Sequence, residues 1–450
     1  MLESTKKALY KIGIDKAIFY TVLARLIQAG GGVISIVFIA KYLTIVEQGY
    51  YFTFGSILAI QIFFELGLST IITQFTAHEV AQLKWGNNTE LIGPEESKSR
   101  LSSLLRFCVK WFSVIALLLL FILLITGYVF FNKYGTNGKN VKWEAPWLIL
   151  SISTSCALMV SPLLAFFEGL GKVKEVAKIR LFQQVCQLFG LFLFLILGFR
   201  LYSSPLTSLL TLTIAPLFII FSYKRKLLLF IWNQLGYWKV NYRLEIFPYQ
   251  WRIALSWISG YFIFQLFNPV LFAIDGPIVA GQMGMTLAAL NGILAISLSW
   301  INTKVPLFST FIAKNEFDAL DLLFNKTVVQ ASSICGLCLI AFIICISCLK
   351  YFNLPIGDRF LPMFPLVLLC IATLVNQFVS ALATYLRCHK QEPFFIQSVV
   401  LGILSALSTL VLGRNFGVNG IVIGYTSLVT SVSLIWAIFI FKKKRKLWHA

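Results

Sequence analysis

The stretch FYTVLARLIQAGGGVISIVFIAKYL, residues 19–43, is long enough as a helix to cross the roughly 30 Å hydrocarbon core of a bilayer. It also carries a permanent charge, Arg25, in its first half. Whether that stretch is a span decides what kind of chain this is. Across all 450 residues 58% are hydrophobic and 12% charged, with a mean hydropathy of +0.83. Soluble domains average about 25% charged residues. The chain therefore reads as an all-α integral membrane protein.

A helix-length hydropathy window places spans near 18–40, 49–73, 110–131, 146–167, 180–200 and 205–222. Six more follow near 252–275, 278–302, 327–349, 363–386, 394–412 and 419–441. The N-terminal residues MLESTKKALYKIGIDKA have no short apolar core before a small-residue cleavage site, so no removable signal is expected. Basic residues near span ends favour the cytoplasm. With the N-terminus inside, inner segments hold 29 Lys and Arg and outer segments 8, which predicts both termini in the cytoplasm.

The net charge of +20 follows from that sorting, and the tail FKKKRKLWHA reads as an orientation signal facing anionic lipid. Nucleic acid is not an expected partner. Residues 223–251, mixing basic, aromatic and apolar side chains, read as a cytoplasmic amphipathic connector. It separates an N-terminal six-helix lobe, 1–222, from a C-terminal one, 252–450, that ends in the basic tail. Residues 79–106, the most soluble-looking stretch, read as a cytoplasmic loop with an amphipathic end. An offset of 219 aligns Ile152, Thr154, Val160, Ser161 and Leu163 with Ile371, Thr373, Val379, Ser380 and Leu382. Such a repeat predicts two pseudo-symmetric lobes with a path between them.

On a helical wheel Arg25 shares an arc of about 80° with Thr21, Gln28, Gly32 and Ser35. In the second span Gln61, Glu65, Ser69 and Thr73 recur every four residues, and Glu65 is its one ionisable group. The tenth repeats the device with Thr373, Gln377, Ser380, Thr384 and Arg387; the seventh offers Tyr261, Gln265, Asn268 and Asp275, with a kink expected at Pro269. Together the stripes describe a hydrated cavity, basic toward the cytoplasm through Arg25, Arg180, Arg252, Lys304 and Arg387. The substrate-binding candidates are Arg25, Gln28, Gln61, Glu65, Arg180, Gln265, Asn268, Gln377 and Arg387. Glu65 and Asp275 are the ion-coupling candidates. Plainer readings stand beside these: Arg25 snorkelling to the inner head groups, Arg25 and Glu65 forming a structural ion pair, and the polar amides joining helices.

No metal is expected. The run CGLCLIAFIICISC, 335–348, spreads its four cysteines over about 20 Å of helix, too far for one zinc ion. A phosphate-binding loop is missing as well, and no outer segment is long enough for a catalytic domain, so no enzyme is expected.

Three stretches carry a resemblance: GYYFTFGSILAIQIFFELGLSTIITQFTAHE (49–79), SPLLAFFEGLGKVKEVAKIRLFQQ (161–184) and AIDGPIVAGQMG (273–284). With twelve spans and both ends inside, the chain resembles bacterial O-antigen and polysaccharide repeat-unit flippases. These form a branch of the multidrug, oligosaccharidyl-lipid and polysaccharide exporter superfamily. The resemblance implies two six-helix lobes in a V like that of multidrug and toxin extrusion (MATE) transporters, and residence in the bacterial inner membrane. It further implies an undecaprenyl-diphosphate-linked glycan as cargo for lipopolysaccharide or other surface-polysaccharide biosynthesis, and other polysaccharide-assembly membrane proteins as partners. No cofactor is implied beyond a proton or sodium gradient as the drive. Arg25 is the first candidate for the diphosphate, with Arg387 and Arg180 next. Two rivals share the hydropathy: a multidrug or cation exporter of the same superfamily, and an O-antigen polymerase.

Overall fold

A computed structural model describes residues 16–86, 90–135, 141–234, 236–389 and 391–448. Among these the chain is helical apart from connecting segments and one two-stranded hairpin, β1 (Lys84–Trp85) against β2 (Leu91–Ile92). Among the described residues ten helical segments are long and apolar enough to cross a membrane. One of them, Phe395–Trp448, begins with α16 (Phe395–Ser427) and contains both of the last two expected spans, broken where Gly417 adopts φ 57° and ψ −142°. The first expected span falls in α1 (Lys16–Tyr42), so every one of the twelve has a helical counterpart.

Two segments are more helical than hydropathy suggests. The loop expected before the third span is largely the start of α5 (Glu95–Tyr134), a 40-residue helix. Pro94 precedes Glu95 and Glu96, whose charges suit the positive end of the helix dipole. Polarity hid this helix from a hydropathy window. In the same way α14 (Phe317–Tyr351) begins about three turns before its apolar part.

The second and seventh spans are broken instead of continuous. After α2 (Ile45–Leu58) come a 3-10 turn at Ala59–Gln61 and the four-residue α3 (Ile62–Glu65). Leu66 (φ 48°) and Gly67 (φ 70°) are then left-handed before α4 (Leu68–Val80) resumes. Gly67 also lies so close to α10 (Phe247–Phe264) that a Cβ there would sit 2.3 Å from Ile253 Cγ2. The expected stripe from Gln61 to Thr73 is therefore not carried by one helix. In the seventh span α10 stops at Phe264 and α11 (Phe267–Ile274) starts after a turn. Pro269 explains the position, because its ring opposes the carbonyl four residues back, that of Gln265.

The repeat is visible in element lengths. Helices α6 (Glu144–Gly169) and α15 (Met363–Cys388) each have 26 residues, displaced by the same 219 positions that align their sequences. The broken segments Ile45–Val80 and Pro277–Ala313 have 36 and 37 residues, the latter comprising α12 (Pro277–Asn302) and α13 (Val305–Ala313).

The chain forms two compact units. One takes the chain up to Gly31, then Ile60–Phe131 and Lys142–Trp257. There α4 packs on α6, and α6 and α7 (Val173–Ile196) pack on α8 (Ser203–Ile220). Trp147 lies over Gly127 and donates from Nε1 to the Leu123 carbonyl at 3.0 Å. The connector belongs to this unit. After α9 (Lys224–Trp232) it is pinned to the polar start of α5. Ser99 Oγ donates to Trp238 O and receives the Gly236 amide, Ser103 Oγ receives the Val240 amide, and Ser102 Oγ donates to Trp232 O.

The other unit comprises Gly32–Ala59, Asn132–Val141 and Ile258–Ala450. Its α2 packs along α12, which also meets α14 and α15. A buried cluster that includes Phe308, Phe324, Tyr385, Leu386 and Ala437 joins α13, α14, α15 and α17 (Leu434–Trp448).

Candidate functional site

Arg25 and Gln28 lie on α1, and their side chains fall outside the described residues. Glu65 closes α3 at the break of the second span, where Ser69 Oγ donates to its Oε1 at 2.7 Å. Gln61 ends the 3-10 turn just before it and is half-buried. A broken span at this point leaves backbone groups without their intrahelical partners, which polar side chains or a polar cargo can satisfy.

Arg180 on α7 is paired with Glu168 of α6, Nη1 to Oε1 at 3.1 Å, and stays 54% exposed. Arg387, near the end of α15, is held by both oxygens of Glu392 at 2.8 Å.

The amides of the second unit are deeply set. Asn268 donates from Nδ2 to Ser56 Oγ at 3.0 Å, and its Oδ1 has no hydrogen-bond partner among the described residues. Gln377, fully buried on α15, accepts at Oε1 from Ser332 Oγ at 2.9 Å while its Nε2 has no such partner. Gln265 sits in the turn between α10 and α11, where its backbone amide still reaches the Tyr261 carbonyl. Asp275 follows α11 and accepts the Val418 amide at 3.0 Å, so its carboxylate caps the segment after Gly417.

Several polar contacts escaped sequence reasoning. Asn376 Nδ2 donates to Tyr425 OH at 2.8 Å. Gln48, fully buried, donates from Nε2 to Gly281 O at 2.8 Å and to Arg359 O at 3.1 Å. These partners are far apart in sequence, and helical periodicity reports only neighbours on one helix. The polar pattern of α2 was the one available signal.

Toward the expected cytoplasmic side Arg100 bridges Glu79 and Glu245, with Nε to Oε1 at 2.8 Å and Nη2 to Oε2 at 2.5 Å. Burial pushes the Glu245 carboxyl up, but hydrogen bonds from Arg100 and from the Asn241 amide outweigh it and hold the group below the usual carboxylate range. Lys224 is almost fully buried, paired with Glu175 and set against the rings of Phe218 and Tyr223 at 4.5 and 4.8 Å. Among the described residues no group of three or more His, Cys, Asp or Glu is placed to hold a metal ion.

No family profile and no curated protein sequence matches the chain. Solved structures do. An inward-facing MATE family transporter of the MOP superfamily superposes with a TM-score of 0.58 at 13% identity, over 95% of this chain and 99% of that one. The lipid II flippase MurJ, in an inward closed conformation, gives 0.59 at 14% identity over 96% and 89%. This chain has the MOP fold. A MOP superfamily transporter from Pyrococcus furiosus gives 0.54 at 12% identity, over 97% and 96% of the two chains. The likeness in fold extends over 95–97% of this chain in these three comparisons.

Proposed function

We propose that this protein is a flippase that moves an undecaprenyl-diphosphate-linked oligosaccharide from the inner to the outer leaflet of the bacterial inner membrane, with both termini in the cytoplasm. The observation that carries the reading is a MOP fold over nearly the entire chain, shared with a protein named as a lipid II flippase. The basic bias of the inner segments supports it, because an anionic diphosphate is drawn toward basic side chains at the cytoplasmic mouth. No covalent step is required. Alternating exposure of one binding region to the two sides suffices, with the polyprenyl tail left in lipid.

In this reading Arg25 meets the diphosphate first, with Arg180 and Arg387 exchanging Glu168 and Glu392 for phosphate oxygens. Gln28, Gln61 and Gln265 supply hydrogen bonds to sugar hydroxyls, and Asn268 and Gln377, buried in this state, join them when the helices around them part. Glu65, beside the break of the second span, is the ion-coupling group. A drug exporter is the second reading, because a solved structure named as a MATE multidrug transporter superposes with a TM-score of 0.56.

The test is deletion of the gene followed by analysis of lipid-linked intermediates in a strain whose surface glycan depends on it. Loss of a flippase accumulates complete repeat units facing the cytoplasm. Normal glycan display together with lost drug resistance refutes the proposal in favour of the exporter. Within the flippase reading, Arg25→Ala abolishes surface glycan at normal membrane levels of the protein, and Arg25→Lys retains part of it. Full glycan display by Arg25→Ala removes Arg25 from the diphosphate site.

A further inference from the structure

Three members of the basic run 442–446 point to one place. Lys442, Arg445 and Lys446, three and four positions apart on α17, line a cavity of about 510 Å³. Its other wall is the start of α14, with Asn315, Asp318 and Asp321. Lys444 is engaged elsewhere, with Nζ 5.6 Å from the centre of the Trp448 ring. Asp321 Oδ1 accepts from Tyr385 OH at 2.6 Å, and its Oδ2 accepts from Arg445 Nε at 2.9 Å and Nη2 at 2.5 Å. These bonds join α14, α15 and α17 at the cavity wall and fix Arg445 in place. Three basic side chains against two acidic ones leave the cavity net positive. The wall on α14 is also the positive end of a 35-residue helix.

Each wall continues into an exposed apolar stripe. On α17, Ile435 and Phe439 precede Lys442 and Lys446 at intervals of four, three and four residues, so the four side chains share one face. Its two apolar members are 65% and 63% exposed. On α14, Leu322 and Val329 stand four and eleven positions after Asp318, again on one face, and both are exposed. A phosphate ion alone has nothing to place on such stripes. A lipid has acyl chains for the stripes and a charged head for the cavity. The two lysines, four residues apart on one helix, also repel each other, and an anion between them removes that repulsion.

We infer that this cavity binds the phosphodiester headgroup of an anionic lipid, held by Lys442, Arg445 and Lys446, with the acyl chains along the stripes of α14 and α17. In the proposed orientation the lipid belongs to the inner leaflet. The general attraction of a basic tail to an acidic membrane needs no defined partner. Here the Asp321 bonds fix one cation and helical spacing sets the other two, so a single headgroup has a single seat. Bound there, it bridges α17 to the start of α14 and secures the last helix to its bundle.

The experiment titrates the purified full-length protein, in a neutral detergent, with phosphatidylglycerol and follows the thermal midpoint against the mole fraction of lipid in the micelle. A lipid that binds the folded chain at one site raises the midpoint saturably. Lys442→Gln with Lys446→Gln leaves the bonds of Asp321 in place and should raise the mole fraction for half the shift by roughly thirtyfold, a factor of about five for each lysine. If the double variant does not fold, Lys446→Gln alone carries the test with the fivefold change. Lys443→Gln with Lys226→Gln removes the same charge outside the cavity and should leave the titration unchanged. Equal weakening by the two pairs, or a shift of the same size with phosphatidylethanolamine, overturns the inference. Millimolar inorganic phosphate should not reproduce the shift; if it does, and the cavity pair abolishes its effect, the site belongs to a soluble anion and the lipid is rejected. Detergent has no sides and no cargo is present, so the result stands or falls apart from the flippase reading.

Discussion

Arg100 serves two carboxylates that differ in solvent access, and this difference sets an order among its variants. Glu79 has a side chain only 5% exposed, against 30% for Glu245. Arg100→Ala leaves the Glu79 charge buried and unpaired, at a cost of about 3 kcal/mol. Glu245→Gln removes only the solvent-screened branch and keeps an acceptor for the Asn241 amide, so it costs about 0.5 kcal/mol. The gap of roughly 2.5 kcal/mol corresponds to a folding equilibrium shifted by close to two powers of ten. Purified protein in a mild detergent would be heated stepwise, and the fraction still eluting as a folded species measured. The Arg100→Ala curve falls well below that of Glu245→Gln, and the double variant Arg100→Ala with Glu79→Gln recovers most of the loss. If Arg100→Ala and Glu245→Gln lose stability equally, or if the double variant recovers nothing, the argument from buried charge is wrong.

Gly49→Ala forces a methyl to within 1.9 Å of the Pro277 carbonyl, so α2 must back away from α12 by roughly 1.5 Å. Overpacking of this kind costs about 2 kcal/mol, read as a lower thermal midpoint than that of Gly55→Ala, where a Cβ meets open space. The lowered pKa of Glu245 gives the connector a pH dependence. Its contribution to stability is fully present above the unfolded carboxylate pKa of about 4.3 and is lost as pH falls through the lower folded value. Hydrogen exchange at the Gly236 and Val240 amides, corrected for intrinsic rate, should therefore accelerate relative to transmembrane amides as the pH drops below about 4. Equal acceleration everywhere would indicate global loss of structure instead.

The spans were legible because an apolar run of helix length in a chain this poor in charge has few other uses. The break at Gln265 was nearly legible too, since Pro269 announces a helix fault one turn before itself. The break around Leu66 was not. A single glycine in an apolar helix is common, and the left-handed conformation of Leu66 has no side-chain signature. The polar start of α5 was hidden for a different reason: hydropathy records what faces lipid, and this turn-rich-looking stretch faces the connector through Ser99, Ser102 and Ser103. At the candidate site, periodicity brought out Glu65, Gln377 and Arg387 as members of stripes. It could not show that Ser56 would meet Asn268 or that Arg359 would meet Leu43, because those pairings join residues more than two hundred positions apart.

The seam between α5 and the connector bears on how the chain can be divided. A fragment that ends with the sixth span, near residue 222, would strip Ser99, Ser102, Arg100 and Arg106 of the partners they find at residues 232–245. A fragment carried through Ile246 keeps that seam closed and ends just where α10 begins. The natural place to cut this protein into two co-expressed pieces is thus after the connector rather than before it, and the connector is better regarded as the last strap of the first piece than as a free tether between two.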